Sequence, residues 1–249
     1  MKISGSTILI TGGATGIGFA LADALSEAGN EVIICGRRQE KLDKARRRLP
    51  KVKAIQCDIS DTKERSALFD WMRRNFPSMD ILVNNAGIQR QIDFRKGAKS
   101  LSAGEDEIET NLRAPVHLSA LFIPHFVKQK EAAIVNISSG LAFIPLAAVP
   151  VYCATKAAIH SFSLSVRHQL KETRIKVFEI IPPIVDTELH KGARERRGQV
   201  ERGIKPAEVS QATLRALEAD EYELAVGRAQ SLRMGARNDP EKLFRMMNG

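Results

Sequence analysis

The chain has 249 residues, of which 43% are hydrophobic and 27% are charged, and its formal net charge is +9. This balance is typical of a globular protein, and it excludes a disordered or fibrous chain. The longest apolar run, residues 141–151, contains two prolines and is shorter than the ~18 residues that a membrane-spanning helix needs, so a membrane protein is excluded too.

Short β-rich segments alternate with amphipathic segments along the whole chain. The predicted strands are Thr7–Thr11, Glu31–Cys35, Val52–Cys57, Ile81–Asn84, Ala133–Ser138, Ile175–Ile181 and Tyr222–Val226. Most are continuous apolar or β-branched runs, which is typical of strands covered on both faces. The alternation predicts an α/β fold, a doubly wound Rossmann-type parallel sheet of about seven strands with helices on both faces. No linker-like composition divides it, so residues 1–249 are predicted to form a single domain.

A glycine-rich turn follows the first predicted strand. The segment reads Thr11-Gly12-Gly13-Ala14-Thr15-Gly16-Ile17-Gly18. Its glycines permit a tight turn and a close backbone approach, and the helix that begins there directs its unpaired N–H groups at the turn. These features predict a site for a dinucleotide pyrophosphate, formed by Gly12, Thr15, Gly16, Ile17 and Gly18. A turn that is glycine-rich for steric reasons alone is the alternative.

The second predicted strand ends in Cys35-Gly36-Arg37-Arg38. A dinucleotide-binding fold that uses NAD places a carboxylate in this region, where it contacts the ribose hydroxyls. Two guanidinium groups would instead bind the 2′-phosphate of NADP, and a guanidinium can do so bidentately. The sequence therefore predicts NADP(H) rather than NAD(H), with Arg37 as the stronger candidate and Arg38 as the second.

The same arginines open a basic stretch, residues 37–53, which contains nine Lys or Arg and two Asp or Glu. Its simplest interpretation is a solvated helix face whose last basic residues lie at the negative end of the helix dipole. A basic nucleic-acid-binding module is a competing interpretation of the charge. Because only 5% of the residues are aromatic, a base-stacking surface is not predicted, and we expect no nucleic-acid partner.

A tyrosine and a lysine lie four residues apart in Tyr152-Cys153-Ala154-Thr155-Lys156. On a helix this spacing places the phenol and the ammonium on one face. A phenol with an ordinary pKa of ~10 is a poor acid–base catalyst at neutral pH, and a neighbouring cation is expected to lower that pKa. Ser139 follows the fifth predicted strand and could hydrogen-bond the same substrate oxygen. The alternative for the spacing by itself is an ordinary surface pair.

With these motifs in this order, the chain resembles the compact, single-domain type of short-chain dehydrogenase/reductase. The resemblance covers roughly residues 5–227 and rests on the following residues. They are the turn at 11–18, Asn84-Asn85-Ala86-Gly87, Asn111, Ser139, Tyr152 and Lys156. It implies an NADP(H)-dependent oxidoreductase that transfers hydride between the nicotinamide and a small carbonyl compound or secondary alcohol.

The resemblance also implies a role for each catalytic candidate. Tyr152 would exchange a proton with the substrate oxygen, Lys156 would lower the Tyr152 pKa and bind the nicotinamide ribose, and Ser139 would orient the carbonyl. The backbone carbonyl of Asn111 would hold a relay water. Pro115 has no N–H with which to bond that carbonyl in a helix, so we expect a local kink and a free carbonyl there.

Further cofactor contacts are implied at three places in the chain. Asn85, Ala86 and Gly87 would support the central sheet beside the cofactor, and Asp58 and Ile59 would contact the adenine ring. The remaining candidates lie beyond the sixth predicted strand. They are Pro182, Val185 and Thr187, which would contact the nicotinamide side. Pro183 replaces the glycine that the family has at this position.

Two segments after the sixth predicted strand depart from a plain strand–helix frame. Residues 187–204 are predicted to be a substrate lid, in which His190, Lys191 and Arg194 could meet an anionic group. Residues 231–249 are an atypical C-terminal tail, predicted to be a charged loop followed by a short helix. The run at 88–91 resembles a subgroup of oxidoreductases linked to D-alanylation operons.

Assembly, compartment and metal content are less constrained by the sequence. Phe162, Val166 and Leu170 form an apolar stripe that would suit either a homodimer surface or the protein's own core. The three cysteines form no CxxC pair, which favours reduced thiols in the cytoplasm. No histidine pair has the spacing of a zinc motif, so no metal is predicted. A dinucleotide-binding regulatory protein without turnover is the remaining alternative, although such relatives usually lose the tyrosine or the lysine that this chain keeps.

Overall fold

A computed structural model describes residues 1–102, 104–189 and 203–249. Its strands are β1 (Thr7–Thr11), β2 (Glu31–Gly36), β3 (Lys53–Gln56), β4 (Met79–Asn84), β5 (Ala132–Ile137), β6 (Ile175–Ile181) and β7 (Glu223–Ala225). Its α-helices are α1 (Gly16–Glu27), α2 (Gln39–Arg48), α3 (Thr62–Asn75), α4 (Lys99–Ser102), α5 (Ala114–Phe126), α6 (Pro150–Gln169), α7 (Pro206–Glu218), α8 (Arg228–Asn238) and α9 (Pro240–Asn248). Every predicted strand is present, with ends that differ by two residues or fewer.

The strands form one parallel sheet in the order β3-β2-β1-β4-β5-β6-β7. This order confirms the prediction of a doubly wound, Rossmann-type α/β fold. The direction of winding reverses between β1 and β4, so the loops that follow these two strands diverge and leave a crevice at the carboxyl edge of the sheet. The predicted motifs lie at that edge because each of them follows a strand.

Two hydrophobic layers cover the sheet. One face packs against α1, α2 and α7 through residues such as Leu21, Leu42 and Val209. The other face packs against α3, α5 and α6 through residues such as Leu68 and Phe122. Burial on both faces explains why the strands are continuous apolar runs rather than alternating ones. Within the described ranges, none of the helices combines the length and the apolar character required to cross a bilayer.

The apolar stripe on α6 belongs to the second of these layers. Val166 is buried in it, and Phe162 and Leu170 pack against it. This packing favours the core interpretation of the stripe, and the homodimer stays a prediction. A helix that covers a sheet and a helix that pairs with another subunit show the same apolar period, so the sequence could not distinguish them.

The C-terminal tail is more ordered than predicted. Residues 231–238, expected to be a loop, belong to α8, and only Asp239 separates α8 from α9. The carboxylate of Asp239 accepts a hydrogen bond from the N–H of Lys242 at 3.0 Å and so caps α9. The predicted lid at 187–204 is described only at its two ends. His190, Lys191 and Arg194 lie outside the described residues.

The aromatic contact between α3 and α5 offers a test of this packing. Phe122 is 1% exposed, and its ring meets Phe69 edge-on with centroids 5.0 Å apart. Phe122→Ala should lower the free energy of unfolding by about 3–5 kcal/mol, because it removes a buried ring and leaves a cavity. The matched control Phe94→Ala removes a ring that is 56% exposed and should cost about 0.5 kcal/mol or less. Urea unfolding curves measure both values, and equal losses would contradict the packing.

Candidate active site

The glycine-rich turn after β1 touches the loop after β4. Gly12 has a φ of +64°, and a Cβ added to it would lie 2.8 Å from the Cα of Ala86. A Cβ on Gly18 would collide with the carbonyl oxygen of Gly12. Only glycine fits at these two positions, because the first needs a left-handed backbone and both lie against main-chain atoms. The turn therefore has the tight path that the sequence predicted.

The hydroxyl of Thr11 joins the two loops across the crevice. It accepts hydrogen bonds from the N–H groups of Asn85 at 3.0 Å and Ala86 at 3.1 Å, and it donates to the carbonyl of Val83 at 3.3 Å. The side-chain amide of Asn85 donates back to the carbonyls of Thr11 and Gly12 at 2.8 and 3.2 Å. These bonds fix the width of the crevice between β1 and β4.

The N-terminus of α1 faces this crevice with its N–H groups available. Thr15 is the N-cap in extended conformation, and its hydroxyl makes no capping bond to the described residues. No acidic residue occupies the first turn. Gly16 has a φ of +57°, and a Cβ on it would lie 3.0 Å from the Cγ2 of Thr187. The helix end is therefore suited to an anion, and Thr187 lies beside it.

The segment after β6 crosses the crevice and brings Thr187 to the turn. The carbonyl of Pro182 accepts a hydrogen bond from the N–H of Gly140 at 3.0 Å. Val185 is buried and forms an isolated β-bridge with Ile204. Candidates from two distant parts of the sequence thus lie at one end of α1, namely Gly16 and Ile17 from the turn and Thr187 from the segment after β6. Pro183 does not prevent this path.

Arg37 and Arg38 lie at the carboxyl end of β2, each beside a carboxylate from another segment. Arg37 forms an ion pair with Glu105, and Arg38 lies 3.6 Å from Glu188. Lys41 lies 2.8 Å from the same Glu188. The sequence reasoning did not include Lys41, although its position in the first turn of α2 places it one turn beyond the arginines. All of these side chains are partly exposed, so the ion pairs are individually weak.

Asp58 and Ile59 follow β3 at the same edge of the sheet. The Asp58 carboxylate accepts hydrogen bonds from the N–H and hydroxyl of Ser60 at 2.9 and 2.8 Å, and Ile59 is buried. Cys57 is tied to the end of β2, because its N–H donates to the carbonyl of Gly36 at 3.0 Å. The two candidates are therefore next to the arginines, as expected for a shared adenosine site.

Tyr152, Lys156 and Ser139 come together above the carboxyl ends of β4 and β5. Tyr152 and Lys156 lie on one face of α6 and are 7% and 5% exposed, with the ammonium nitrogen 5.7 Å from the centre of the phenol ring. Lys156 donates a hydrogen bond to the carbonyl of Ile137 at 2.8 Å. Ser139 is buried within hydrogen-bonding reach of the phenol, and its oxygen accepts from the N–H of Leu141 at 3.1 Å.

Asn111 completes this group from the opposite side. Its side chain accepts from the N–H of Ile88 at 2.9 Å and donates to the carbonyl of the same residue at 2.8 Å. A Cβ added to Gly87 would lie 3.5 Å from the Asn111 oxygen and 3.7 Å from the Lys156 nitrogen. Gly87 therefore leaves open the space that separates the asparagine and the lysine.

The helix around Asn111 is irregular, as Pro115 predicts. Residues Glu109–Arg113 form a π-helical turn, in which the N–H of Ala114 bonds the carbonyl of Glu109 five residues back. The proline lies just beyond this turn, near the start of α5. A ring without an N–H is tolerated best where the regular ladder is already broken.

The pKa values of Tyr152 and Lys156 are both shifted from their ordinary values. Burial raises the pKa of Tyr152 to about 12, and the hydrogen bond from Ser139 only partly offsets it. Burial lowers the pKa of Lys156 to about 8. In this structure the loss of water dominates both pKa values, and the lowering of the phenol pKa by Lys156 stays a prediction.

A cavity of about 1440 Å³ opens beside α6 next to Cys153. Leu141 and Leu146 form one wall, and residues 89–100 form the other wall. The C-terminal helices α8 and α9 contact the segment that forms the first wall near its start and near its end. A Cβ on Gly140 would touch Leu232 of α8 at 3.0 Å, and the Asn248 side chain accepts from the N–H of Ala147 at 2.6 Å. The sequence reasoning missed this support.

A row of polar residues, of which three are buried and Glu223 is half-buried, was also missed. It crosses the sheet beneath α5 and α6 and consists of Asn84, Asn136, Glu179 and Glu223, each in register with the next. The signal was available in β6, where a glutamate interrupts an otherwise apolar run, Val177-Phe178-Glu179-Ile180-Ile181. A carboxylate at a position covered on both faces must find a partner on the packed helix.

Comparison with protein families and with individual relatives gives a consistent result. The family model for short chain dehydrogenase matches residues 6–198. An uncharacterized oxidoreductase of Bacillus subtilis, DltE, is 52% identical over 248 residues, covering 100% of this chain and 98% of the relative. An uncharacterized oxidoreductase of Staphylococcus epidermidis is 29% identical over 77% of this chain and 83% of its own length.

Solved structures with the same fold include complexes with both nicotinamide dinucleotides. A short chain dehydrogenase from Burkholderia cenocepacia in complex with NADP has a TM-score of 0.85 and 26% identity, and the match covers 99% of each chain. One from Burkholderia phymatum in complex with NAD has the same TM-score, 18% identity, and coverage of 100% of this chain and 97% of that one. At 18% identity, the similarity to the NAD complex supports a shared fold and nothing more.

The buried Lys156 makes the stability of the protein depend on pH. Its pKa in the folded state, about 8, lies below its value in the unfolded chain, so keeping it charged costs stability below pH 8, and this cost fades toward pH 10.5. Lys156→Met removes the cost. Its stability advantage over the parent should therefore shrink by about 3 kcal/mol between pH 7 and pH 10.5. Chemical unfolding measures the difference, with exposed Lys171→Met as control, and a constant difference would contradict the pKa.

Proposed function

This chain belongs to the short-chain dehydrogenase family, and on that premise we propose that it is an NADP(H)-dependent oxidoreductase acting on a carbonyl compound or a secondary alcohol. The observation that carries the proposal is the convergence of Tyr152, Lys156, Ser139 and Asn111 in one buried group. They lie at the edge of the sheet where the glycine-rich turn opens its crevice. That arrangement combines a proton donor with a place for a dinucleotide.

The residues of the crevice fit a nicotinamide dinucleotide. A Cβ would fill the cradle at Gly12, Gly16 and Gly18, and the free N–H groups of α1 face it. Thr15, Ile17 and Thr187 would flank the pyrophosphate, with Asn85, Ala86 and Gly87 under the nicotinamide half. Pro182 and Val185 would form the far wall. When bound, the nicotinamide ring supplies or accepts the hydride.

The chain's own residues would handle the proton. With a pKa raised to about 12, Tyr152 is protonated in the empty protein and can donate its proton to a carbonyl oxygen. Ser139, within reach of the phenol, would orient that oxygen. The Lys156 ammonium would stabilise the phenolate left behind, and in a buried site this attraction is stronger than in water. The free space at Gly87 between Lys156 and Asn111 would admit the relay water.

The preference for NADP(H) over NAD(H) is supported by charge. Arg37, Arg38 and Lys41 gather where the 2′-phosphate would lie, and the end of β2 carries no carboxylate of its own. Glu105 and Glu188, which now pair with these cations, would be exchanged for the phosphate. Asp58 and Ile59 would contact the adenine beside them.

We also propose a cytoplasmic location and a small-molecule substrate. Cys35, Cys57 and Cys153 are buried free thiols, as expected of a reducing compartment. A homodimer also stays a proposal. The α6 stripe gives it no support, because that stripe packs against the core. The two alternatives, a regulator without turnover and a nucleic-acid-binding module, give the buried tyrosine–lysine pair no function.

Tyr152→Phe tests the proton donor. It should lower kcat by about 10²- to 10⁴-fold, the usual contribution of a positioned acid, while NADPH still stabilises the protein in a thermal shift assay. The matched control is Tyr222→Phe, which changes the chain's other tyrosine, at the far edge of the sheet, and should leave kcat unchanged. A panel of ketones, aldehydes and quinones, followed by NADPH absorbance, provides the substrate. Full activity in Tyr152→Phe would refute the mechanism.

Arg37→Asp tests the choice of cofactor. It should lower the ratio of kcat/KM with NADPH to kcat/KM with NADH by about 10- to 100-fold, because charge-assisted hydrogen bonds contribute about 1.5–3 kcal/mol. Arg38→Asp should have a smaller effect in the same direction. Arg46→Asp, at the other end of α2, makes the same change in net charge and should leave the ratio unaltered. Stronger thermal stabilisation of the wild-type protein by NADH than by NADPH would overturn the preference.

A further inference from the structure

The polar row beneath α6 links strands β4 to β7. Parallel partners in register face the same side of a sheet, so all four side chains point toward the helices on that side. The Asn84 amide donates to the Asn136 oxygen at 2.9 Å, and the Asn136 amide donates to the hydroxyl of Ser163 on α6, also at 2.9 Å. The amide half of the row is therefore held by neutral hydrogen bonds.

Glu179 begins the charged half of the row. It is 0% exposed, and its Oε2 lies 2.7 Å from the Nδ1 of His160 on α6. Its Oε1 has no hydrogen-bond partner among the described residues. A carboxylate removed from water in this way is unfavourable unless a positive charge is close. The bond to Glu179 raises the pKa of His160 above its ordinary value.

Lys156 is a second basic residue on the same helix, and it is 5% exposed. It precedes His160 by one helical turn, so the two side chains leave the helix on the same face. Its nitrogen bonds the carbonyl of Ile137, the residue after Asn136, and Asn136 is the β5 partner of Glu179. A neutral carbonyl does not balance an ammonium. Consistent with this arrangement, Glu179 acts to raise the pKa of Lys156 against the lowering caused by burial.

We propose that Glu179, held in place by His160, is the counter-charge of Lys156 and a positioning residue for the reaction proposed above. Its carboxylate keeps the buried ammonium charged, so that the lysine can stabilise the Tyr152 phenolate. The proposal rests on the proposed function for its role in catalysis, whereas the charge coupling itself is a property of the folded chain.

Other charged groups face the pair from the neighbouring elements. On β7, Glu223 lies next to Glu179 and forms an ion pair with Arg233 of α8. On α6, the guanidinium of Arg167 donates to the carbonyl of Val177 at 2.8 Å. Glu223 lies on the side of Glu179 away from β5 and already has its own cation. It therefore provides a matched control. It is a second carboxylate in the same row, and it does not shift the pKa of Lys156.

The experiment begins from a His160→Asn parent. This change removes the titration of the imidazole but keeps an amide N–H that can donate to Glu179. Glu179→Gln or Glu223→Gln is then added, each removing one charge with little change in shape. Two quantities are measured for the three proteins. The first is the pH dependence of kcat/KM for NADPH-dependent carbonyl reduction, and the second is the pH dependence of Tm without cofactor.

Adding Glu179→Gln should move the alkaline limb of the kcat/KM profile toward lower pH by about one unit, because the lysine loses its proton more easily. Its Tm relative to the parent should rise between pH 7 and pH 9, as the cost of the unbalanced ammonium disappears on deprotonation. Adding Glu223→Gln should leave both curves parallel to the parent. Coincident curves for the two carboxylate variants would overturn the proposal.

The readouts separate this proposal from the proposed function. If no carbonyl compound is turned over, the enzymatic role fails, but the Tm curves still decide whether Glu179 balances Lys156. If the Glu179→Gln protein does not fold, Lys156→Met is used with the NMR titration of His160 in an otherwise wild-type chain. Neutralising the lysine should raise the pKa of His160, since coupling is reciprocal. An unchanged pKa would refute the coupling.

Discussion

The contact between the turn after β1 and the loop after β4 determines the geometry of the whole carboxyl edge. Gly12 meets the backbone of Ala86, and the Thr11 hydroxyl holds both loops with three hydrogen bonds. With those loops fixed, the N-terminus of α1 and the base of the Tyr152 helix are fixed relative to each other. The glycine-rich turn and the group around Tyr152 are thus parts of one rigid edge rather than two separate sites.

Two buried groups, each driven toward its neutral form by the loss of water, make the centre of the site. Desolvation holds Tyr152 in its neutral, protonated form and pushes Lys156 toward its neutral form as well. From sequence spacing alone, the lysine was expected to acidify the phenol. The spacing shows which groups are neighbours, but the direction of each pKa shift depends on how much water each group has lost. Glu179, twenty-three residues after Lys156, also contributes to the pKa of the lysine.

The sequence was sufficient for features that depend on local pattern. Strands buried on both faces, the glycine turn and the Tyr152–Lys156 spacing all follow from residues close together in the chain. The sequence was not sufficient for features that depend on contacts between residues far apart in the chain. The α6 stripe has a helical period compatible with either a core or a partner. Ala229 of α8 lies against Gly140, the residue after Ser139, and the Glu179–His160 pair exists only once β6 lies beneath α6.

The C-terminal helices brace both ends of the segment that follows Ser139, through Leu232 against Gly140 and through Asn248 against Ala147. Neither Leu232 nor Asn248 belongs to the residues proposed to transfer a proton or to bind the cofactor. Sequence change in the tail can therefore reshape the rim of the neighbouring cavity while the chemistry is left intact. In this fold, the choice of substrate and the reaction itself would then depend on separate stretches of the chain.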